Sequence, residues 1–305
     1  MHRLAPAAAA LVTRFRRQRP LRAGSLIVTL FGDSIMPRGG AISLGSLIRL
    51  AAPFGLNERL VRTAAARLAE EGWLEARRVG KRSEYRLSSG GRERFLEATQ
   101  RIYGEPAPWS GRWTLIVLPG VPAAERLRLR KELTWRGFGE LSAGIFAHPE
   151  VSAAAVASPA PGTLIFEAIL EQPASSAQLV ARGWDLQELA QGYRRFTRRF
   201  LPVSTAVRAA MRARRVDPEA GFVVRTLLIH EYRRLHLRDP LLPGRLLPAA
   251  WPGHGAARLC REIYGGVLTA SETHLSATAA RLEGALPPAD ASVRKRFGGI
   301  ARTRG

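Results

Sequence analysis

The sequence predicts an α+β protein of several domains, in which an N-terminal helical module with a β-hairpin precedes a central α+β domain and a C-terminal helical domain. Between residues 57 and 87, a helix with a basic face leads directly into a short basic hairpin. Between residues 109 and 184, short apolar runs alternate with helical patterns, and residues 185–284 carry apolar side chains at helical spacing. At 305 residues, the chain is long enough for two or three domains.

The chain is strongly basic, with 47 Lys and Arg residues, a formal net charge of +22 and a pI near 11.6. Clustered positive charge attracts phosphate backbones, so a polyanionic partner is expected. Only Lys81, Lys131 and Lys295 are lysines, and part of the arginine excess can equally reflect a composition bias. The charge alone therefore does not establish nucleic-acid binding.

The single cysteine, Cys260, excludes an intrachain disulfide and fits a reducing cytoplasm. Its apolar neighbours Leu259 and Ile263 favour a buried structural thiol over a nucleophile. No apolar run approaches the roughly 20 residues that cross a bilayer, so no membrane contact is expected. We predict a cytoplasmic protein.

Both ends of the chain are expected to be disordered. Residues 1–22 combine an alanine block with several arginines, which favours a disordered basic arm over a signal peptide because the basic residues follow the apolar stretch. Residues 285–305 are expected to form a disordered tail.

Residues 23–104 predict three helices followed by a hairpin. The first helix spans Gly24–Met36 and stops at Pro37, and the second begins after the capping residue Ser43. The third begins after Asn57 and ends at Gly72, and Trp73–Leu87 reads as two strands joined by a basic turn that contains glycine. This order of elements is that of a winged helix-turn-helix domain. Another helix, to about residue 103, and a linker at 105–108 follow.

The third helix offers a surface suited to a DNA groove. Five apolar residues share one arc of this helix, namely Leu60, Val61, Ala64, Ala65 and Leu68. The opposite arc is basic and small, which suits the major groove, where arginine reads guanine and threonine can meet either base edge. The candidate DNA-binding residues are Asn57, Arg59, Arg62, Thr63 and Arg67 on the helix, and Lys81, Arg82 and Ser83 at the hairpin turn. An ordinary amphipathic helix with a solvated arginine face, beside a surface hairpin, is the alternative.

The central residues, 109–184, predict a ferredoxin-like domain. The predicted elements are strands at Trp113–Leu118, Leu141–Ala147 and Thr163–Leu170, and helices at Glu125–Arg136 and Ser175–Arg182. Trp113 and Trp135 are expected in the core.

The C-terminal residues, 185–284, predict a helical domain. Leu186, Tyr193 and Phe200 belong to an apolar stripe at helical spacing. Asp217-Pro218 is a strong helix start, and a final helix is expected around Ala256–Leu282.

Short motifs across most of the chain resemble the PaaX-type repressors of phenylacetate degradation. The motifs are Leu30–Asp33, Pro37–Gly40, Leu44–Ile48, Gly55–Thr63, Glu71–Leu74, Gly111–Thr114, Arg130–Leu133, Gly137–Gly139, Arg225–Arg234 and Arg238–Pro243. They occur in order over residues 24–282, in all three predicted domains.

The resemblance implies a homodimeric repressor that binds double-stranded operator DNA and is released by an aromatic acyl-CoA, phenylacetyl-CoA in the type case. It also implies a central domain similar to CRISPR-associated nucleases and no cofactor. The DNA-reading role carries over to Asn57, Arg59, Arg62 and Thr63 and to the turn residues 81–83. The effector residues do not carry over, so a different aromatic inducer stays possible.

An acyl-CoA effector needs an apolar slot for its aryl group and cations for its phosphates. The candidate effector residues are Arg225, His230, Arg233, Arg234 and Trp251. The alternative is an ordinary helix whose arginines are solvated or form salt bridges at a dimer interface.

Enzyme chemistry is not expected. The nuclease-like relatives hold a metal with an acidic residue at the end of their first strand, where this chain has Leu118-Pro119-Gly120. His230-Glu231 resembles the start of a zinc-protease motif, but His236 lies six residues on instead of four, so the two histidines diverge on a helix. A buried or interface role for His230 is favoured. A metal-dependent nuclease and a non-specific nucleic-acid-binding protein are the alternative functions.

Overall fold

The computed structural model describes residues 4–20, 22–104, 109–149, 162–172 and 175–300. The chain forms two compact units. The first comprises Met1–Gly104, Arg195–Arg234 and Gly255–Gly305, and the second comprises Glu105–Arg194 and Leu235–His254. The C-terminal helices are thus divided between the two units. The predicted linker at 105–108 lies outside the described residues.

The helices and strands follow the chain in this order. Up to residue 104 they are α1 (Leu4–Arg16), α2 (Ala23–Leu30), β1 (Ala41–Ser43), α3 (Leu44–Ala51), α4 (Glu58–Glu70), β2 (Leu74–Val79), β3 (Arg82–Leu87) and α5 (Ser89–Tyr103). The middle of the chain contains β4 (Arg112–Val117), α6 (Ala123–Trp135), β5 (Gly139–Ser142), β6 (Ile145–Pro149), β7 (Leu164–Ile169) and α7 (Ser175–Gly183). The remaining helices are α8 (Leu186–Arg212), α9 (Pro218–His236), α10 (Pro252–Thr278) and α11 (Ser292–Lys295).

The N-terminal segment is helical, and the prediction of a disordered arm over residues 1–22 is wrong for its described part. Helix α1 buries Leu4, Ala8, Leu11 and Phe15, which recur at helical spacing. The ring of Phe15 meets His230 edge-on at 5.5 Å between centroids. The alanine block is therefore a helix with one buried face, since alanine is the strongest helix former.

The predicted first helix covers the expected residues, but its hydrogen-bond pattern changes along its length. It is regular over Ala23–Leu30, widens to π-helical turns over Phe31–Ile35, and ends in a 3-10 turn at Met36–Arg38. The widened turn buries Asp33 in the first unit at 2% exposure. A π-turn of this kind commonly marks a special site, and Asp33 is the centre of the charged network described below.

The next two helices begin where the sequence predicts. The Ser43 side chain accepts a hydrogen bond from the amide of Ser46 at the start of α3, and the Asn57 side chain accepts one from Leu60 at the start of α4. Strands β1, β3 and β2 then form an antiparallel sheet in that order, and β2 pairs with β3 from Leu74 opposite Leu87 to Val79 opposite Arg82.

The C-terminal helices of the first unit share its core with the N-terminal elements. Phe54, which precedes α4, meets Phe222 of α9 in an edge-on ring contact with 5.7 Å between centroids. Both side chains are fully buried. The C-terminal helices of this unit therefore share one core with the N-terminal elements.

The second unit contains a four-stranded antiparallel sheet in the order β5-β6-β4-β7. Its first strand in sequence lies between the third and the fourth, as expected for a ferredoxin-like sheet. One face packs on α6 through Ile116 and Leu129, and the other packs on α7 through Trp113 and Val180. The connection from β6 to β7 includes residues 150–161, which lie outside the described part.

Two expectations for the second unit are wrong. The single strand predicted at Leu141–Ala147 is a hairpin of β5 and β6, because Gly144 adopts a positive φ of 79° that permits a tight turn. Trp135 is not in the core, since 48% of its surface is exposed at the end of α6. Trp113, by contrast, is buried as predicted.

The tail is also ordered over its described residues, so the prediction of a disordered segment from 285 onward is wrong up to residue 300. Helix α11 buries Val293, and Arg296 follows it with 4% of its surface exposed. Residues 301–305 lie outside the described part. Arg296 holds the tail in place because its guanidinium binds Asp33.

Cys260 is buried, as predicted, and burial raises its pKa well above the usual value of a thiol. Within the described ranges, none of the helices combines the length and apolar character that a membrane span requires.

Candidate nucleic-acid interface

Helix α4 turns one side inward and one side outward, as its sequence predicts. Val61, Ala65 and Leu68 are buried. The outward side carries Arg59, Arg62, Thr63, Ala66 and Arg67, all exposed. Leu60 departs from the prediction, since 39% of its surface is exposed, so the buried arc is narrower than expected.

Two arginines of this helix form ion pairs with exposed carboxylates. Arg62 pairs with Glu58 at 2.6 Å, and Arg67 pairs with Glu71 at 2.8 Å, each one helical turn apart. Arg59 has no ion-pair partner in the part of the chain that the structure describes. Exposed pairs of this kind contribute about 1 kcal/mol or less, so a phosphate or a base edge can replace the carboxylate at little cost.

The turn between β2 and β3 carries a second group of cations. Gly80 has a positive φ of 59°, which allows the two-residue turn between Val79 and Arg82. Lys81 and Arg82 are exposed and have no ion-pair partner among the described residues, and Ser83 is half-buried. The tip can therefore present two cations to a phosphate backbone.

The structure adds arginines that the sequence analysis did not select. On β2 and β3, Arg77 pairs with Glu283 at 2.7 Å and Arg86 pairs with Glu75 at 2.9 Å. All four of these side chains are exposed. Their alternation along the strands could have identified them, because alternate residues of a strand point to one face of its sheet.

Comparisons with known proteins match one family along most of the chain. Residues 22–91 match the family described as PaaX-like protein, residues 106–162 match the PaaX protein central Cas2-like domain, and residues 184–277 match the PaaX-like protein C-terminal domain. The chain is 40% identical over 291 residues to "Transcriptional repressor PaaX" of Escherichia coli (strain K12), with 92% of each protein covered.

The chain belongs to the PaaX family. The resemblance drawn from the sequence motifs is therefore confirmed. A solved structure, that of the uncharacterized protein Rv0674 from Mycobacterium tuberculosis, is also similar, with a TM-score of 0.51 and 26% identity over 75% of this chain and 89% of that one.

In this PaaX family member, Arg225 lies inside the first unit and not on a ligand surface. Its Nε donates to Asp33 Oδ2 at 2.7 Å, and its Nη2 donates to the Asp33 carbonyl oxygen at 2.9 Å. Nη1 forms an ion pair with Glu272. Arg225 is fully buried, so its donors are engaged within the protein, contrary to the effector role expected for it.

Asp33 is the centre of this network. Arg296 donates to its Oδ1 at 2.7 Å, and the hydroxyl groups of Tyr103 and Tyr264 donate to the same oxygen at 2.7 and 3.0 Å. Burial alone would raise the pKa of Asp33, but Arg225 and Arg296, with the two tyrosine hydrogen bonds, hold it below the usual value. The carboxylate therefore stays charged in the folded protein.

The remaining candidate effector residues of α9 also make internal contacts. Arg233 donates to Thr29 Oγ1 at 2.9 Å and to the Ser25 carbonyl oxygen at 2.7 Å, and burial lowers its pKa to about 10. Arg234 lies 3.9 Å from Glu231. Arg233 thus connects α9 to α2, and Arg234 pairs within α9. These contacts account for both arginines without a ligand.

Trp251 lies in the second unit, whereas the four α9 residues belong to the first. It is buried and meets the ring of Tyr193 edge-on at 6.0 Å. A Cβ added at Gly253 would lie 2.4 Å from its Nε1, so the ring is tightly enclosed. Trp251 is therefore a packing residue of its own unit.

His230 is fully buried beside Thr29, as the sequence analysis favoured. Thr29 Oγ1 lies 3.0 Å from the Ser25 carbonyl oxygen and 3.1 Å from His230 Nδ1, so the histidine ring is hydrogen-bonded to the hydroxyl through Nδ1. Burial, with Arg233 among the nearby cations, lowers the pKa of His230 to about 3.

We expect this histidine to make the protein acid-sensitive. The unfolded chain protonates His230 below about pH 6.5, and the folded protein does so only near pH 3. The neutral His230 therefore makes its full contribution to the free energy of unfolding above about pH 6.5. Below that pH, the contribution falls by about 1.4 kcal/mol per pH unit. Between pH 7.5 and pH 5, urea unfolding should show the wild type losing about 2 kcal/mol more than His230→Asn.

Asparagine suits this test because its amide nitrogen reaches the position of Nδ1 and does not titrate. The control is His254→Asn, since His254 is exposed, and it should show the acid loss of the wild type. Equal acid losses in the wild type and His230→Asn would contradict the assignment.

Proposed function

We propose that this protein is a sequence-specific DNA-binding transcriptional repressor, and that residues 23–104 form its winged helix-turn-helix domain. The exposed basic face of α4 beside the Lys81-Arg82 turn carries the proposal. It lies in the region that matches the PaaX-like protein family, and the relative with 40% identity is named a transcriptional repressor. That similarity favours a regulator over the metal-dependent nuclease.

The two basic groups have different roles in the proposal. Helix α4 enters the major groove, where Arg59 and Arg62 contact guanine edges and Thr63 meets a neighbouring base. Lys81 and Arg82 bind phosphates, which fixes the protein on the duplex without reading its sequence. The other candidate DNA-binding residues flank these contacts. Asn57 lies at the start of α4, Arg67 on its last turn and Ser83 beside the hairpin turn.

We further propose that the protein acts as a homodimer on two half-sites about one helical turn apart, or a multiple of that spacing. Its effector is an aryl acyl-CoA such as phenylacetyl-CoA, and its target is an operon for aromatic catabolism, that of phenylacetate. The motif resemblance to the PaaX-type repressors supports this choice. The effector must bind the DNA-free conformation more tightly than the DNA-bound one, because otherwise it shifts no equilibrium.

The test is a mobility shift of DNA from upstream of the protein's own gene, at about 150 mM salt with excess random competitor. We expect a competitor-resistant complex that phenylacetyl-CoA dissolves, and that free phenylacetate and free CoA leave intact. If the complex resists competitor but is unaffected by the thioester, the repressor proposal stands and the inducer proposal is wrong. Equal affinity for operator and random DNA identifies a non-specific nucleic-acid-binding protein instead.

Substitutions separate base reading from phosphate binding. Arg62→Ala should cost about 1 to 3 kcal/mol, concentrated at one base position, because it removes a contact to a base edge. Lys81→Ala should weaken all sequences evenly, because phosphates are the same in each. Titrations against the operator and its single-base variants measure both effects. If Lys81→Ala changes the base preference and Arg62→Ala does not, the two roles are assigned the wrong way round.

A further inference from the structure

The second unit contains a cavity of about 810 Å³ between the end of α7, the start of α8 and the 245–248 segment. Pockets for small ligands commonly enclose about 300 to 1,000 Å³. None of the residues selected from the sequence as effector contacts lines it. Its own lining has an apolar floor and a cationic rim, and each constrains the ligand that would fit.

The floor consists of Val180, Trp184 and Leu246, which also belong to the core packed against the sheet of this unit. Val180 and Leu246 are buried, and Trp184 is half-buried. The Trp184 Nε1 donates to the carbonyl oxygen of Gly137 at 2.9 Å. Because its polar group is already bonded, the indole offers the cavity apolar aromatic surface in a fixed orientation.

Gly139 lets the indole lie in this place. A Cβ added at Gly139 would lie 2.6 Å from Trp184 Cε2 and 2.7 Å from the carbonyl oxygen of Gly183. The strand β5 and the α7–α8 turn therefore approach each other more closely than side chains would allow. The floor is preformed, which reduces the ordering that a ligand must cause.

The rim carries two arginines, Arg182 and Arg245, both exposed. The Arg182 Nε donates to the Leu141 carbonyl oxygen at 2.7 Å, which fixes the side chain and leaves its terminal Nη groups for an anion. Arg245 has no ion-pair partner in the described part of the chain. A guanidinium that is held at Nε and open at Nη is well placed to bind a phosphate with two hydrogen bonds.

The rim also holds one carboxylate, Asp185, which does not neutralise these arginines. Its Oδ1 accepts hydrogen bonds from the amides of Gln187 and Glu188, at 3.1 and 3.2 Å, and so caps the start of α8. Asp185 forms no ion pair with another described residue. The two guanidinium groups therefore have no competing internal anion.

We propose that this cavity binds an anionic ligand with an apolar aryl or acyl group, which lies on the Trp184 floor while Arg182 and Arg245 hold the anion. An aryl acyl-CoA is such a compound, so the inference rests on the proposed function and gives its effector a site. This site replaces the α9 residues first considered, whose guanidinium groups contact other parts of the first unit.

The experiment is calorimetric titration of the full chain with phenylacetyl-CoA, CoA and phenylacetate. The test variant is Arg182→Gln/Arg245→Gln, and the control is Arg126→Gln/Arg238→Gln, which removes the same charge from two exposed arginines of the same unit that do not line the cavity. We expect the thioester to bind more tightly than either of its parts. The test variant should bind it roughly 10- to 100-fold more weakly, and the control should bind it as the wild type does.

Operator binding in the same preparations separates this inference from the proposed function. The test variant should keep its affinity for operator DNA and its melting temperature, and phenylacetyl-CoA should no longer dissolve its complex. Wild-type affinity for the thioester in the test variant overturns the site and leaves the repressor intact. Absence of thioester binding by the wild type, or equal affinity for CoA and the thioester, also overturns the inference, whatever the result with operator DNA.

Discussion

Asp33→Asn should destabilise the protein by about 3 to 5 kcal/mol, the usual cost of removing one partner from a buried ion pair. The substitution keeps the shape of the side chain but removes the charge that balances Arg225 and Arg296, both of which are buried. Two guanidinium groups would then lie in the core with one fewer carboxylate. Urea unfolding at neutral pH, where the Asp33 carboxylate is charged, measures the loss.

The control for this experiment is Glu167→Gln. Glu167 pairs with Arg112 at 3.0 Å, but both side chains are more than half exposed, so the change should cost less than about 1 kcal/mol. The two variants remove the same charge from pairs that differ in burial. A loss below about 1 kcal/mol for Asp33→Asn would show that the network does not hold the first unit together.

Binding to operator DNA should depend strongly on salt. If the DNA-bound dimer contacts about 6 to 10 phosphates, its affinity should fall about 10³- to 10⁵-fold between 50 and 200 mM salt, because each contact releases a counterion. The proposed contacts at the β2–β3 turn contribute to this number. Titration at four salt concentrations gives the slope of log affinity against log salt.

The variant Lys81→Ala/Arg82→Ala should lower that slope by about one unit for each charge removed from a subunit. The matched control removes charges from the exposed Arg126 and Lys131 of α6, outside the proposed interface, and should keep the wild-type slope. A complex that is nearly independent of salt, or a slope that the turn variant leaves unchanged, would refute phosphate binding by the turn.

The elements around α4 could be predicted because their signals are local. Ser43 and Asn57 each cap a helix at the position that the sequence indicates, and Gly80 lies in the turn predicted between the two strands. Capping depends on residues two or three positions apart, so no long-range information is needed. The one turn missed, at Gly144, divided a predicted strand into two.

The fate of the arginines on α9 could not be predicted in this way. Arg225 and Asp33 are 192 residues apart in sequence, and Arg296 and Asp33 are 263 apart. From composition alone, an arginine is expected to be a surface charge. In the folded protein, Arg225 and Arg296 instead bind the buried Asp33 carboxylate. The charge of α9 predicted an effector surface there, and only the packed structure shows that Arg225 and Arg233 make contacts inside the first unit.

The disordered arm was predicted for a related reason. The alanines and arginines near the N-terminus lack a polar cap or a turn signal. The apolar stripe of Leu4, Leu11 and Phe15 stabilises a helix only when another part of the protein packs against it. Phe15 is covered by His230, far away in the sequence. Local patterns thus predict the caps and turns around α4 well, and the long-range contacts that cover α1 poorly.

The order in which a ribosome makes this chain gives the charged network another consequence. Asp33 is synthesised 263 residues before Arg296, an interval on the order of 10 to 50 seconds at ordinary translation speeds. Until Arg225 is made, 192 residues after Asp33, the carboxylate lacks both of its arginines, and it still lacks Arg296 until the chain is nearly complete. By then α4 has long left the ribosome. A polypeptide released early therefore carries α4, the helix of the proposed DNA interface, without the support that this network gives the finished protein.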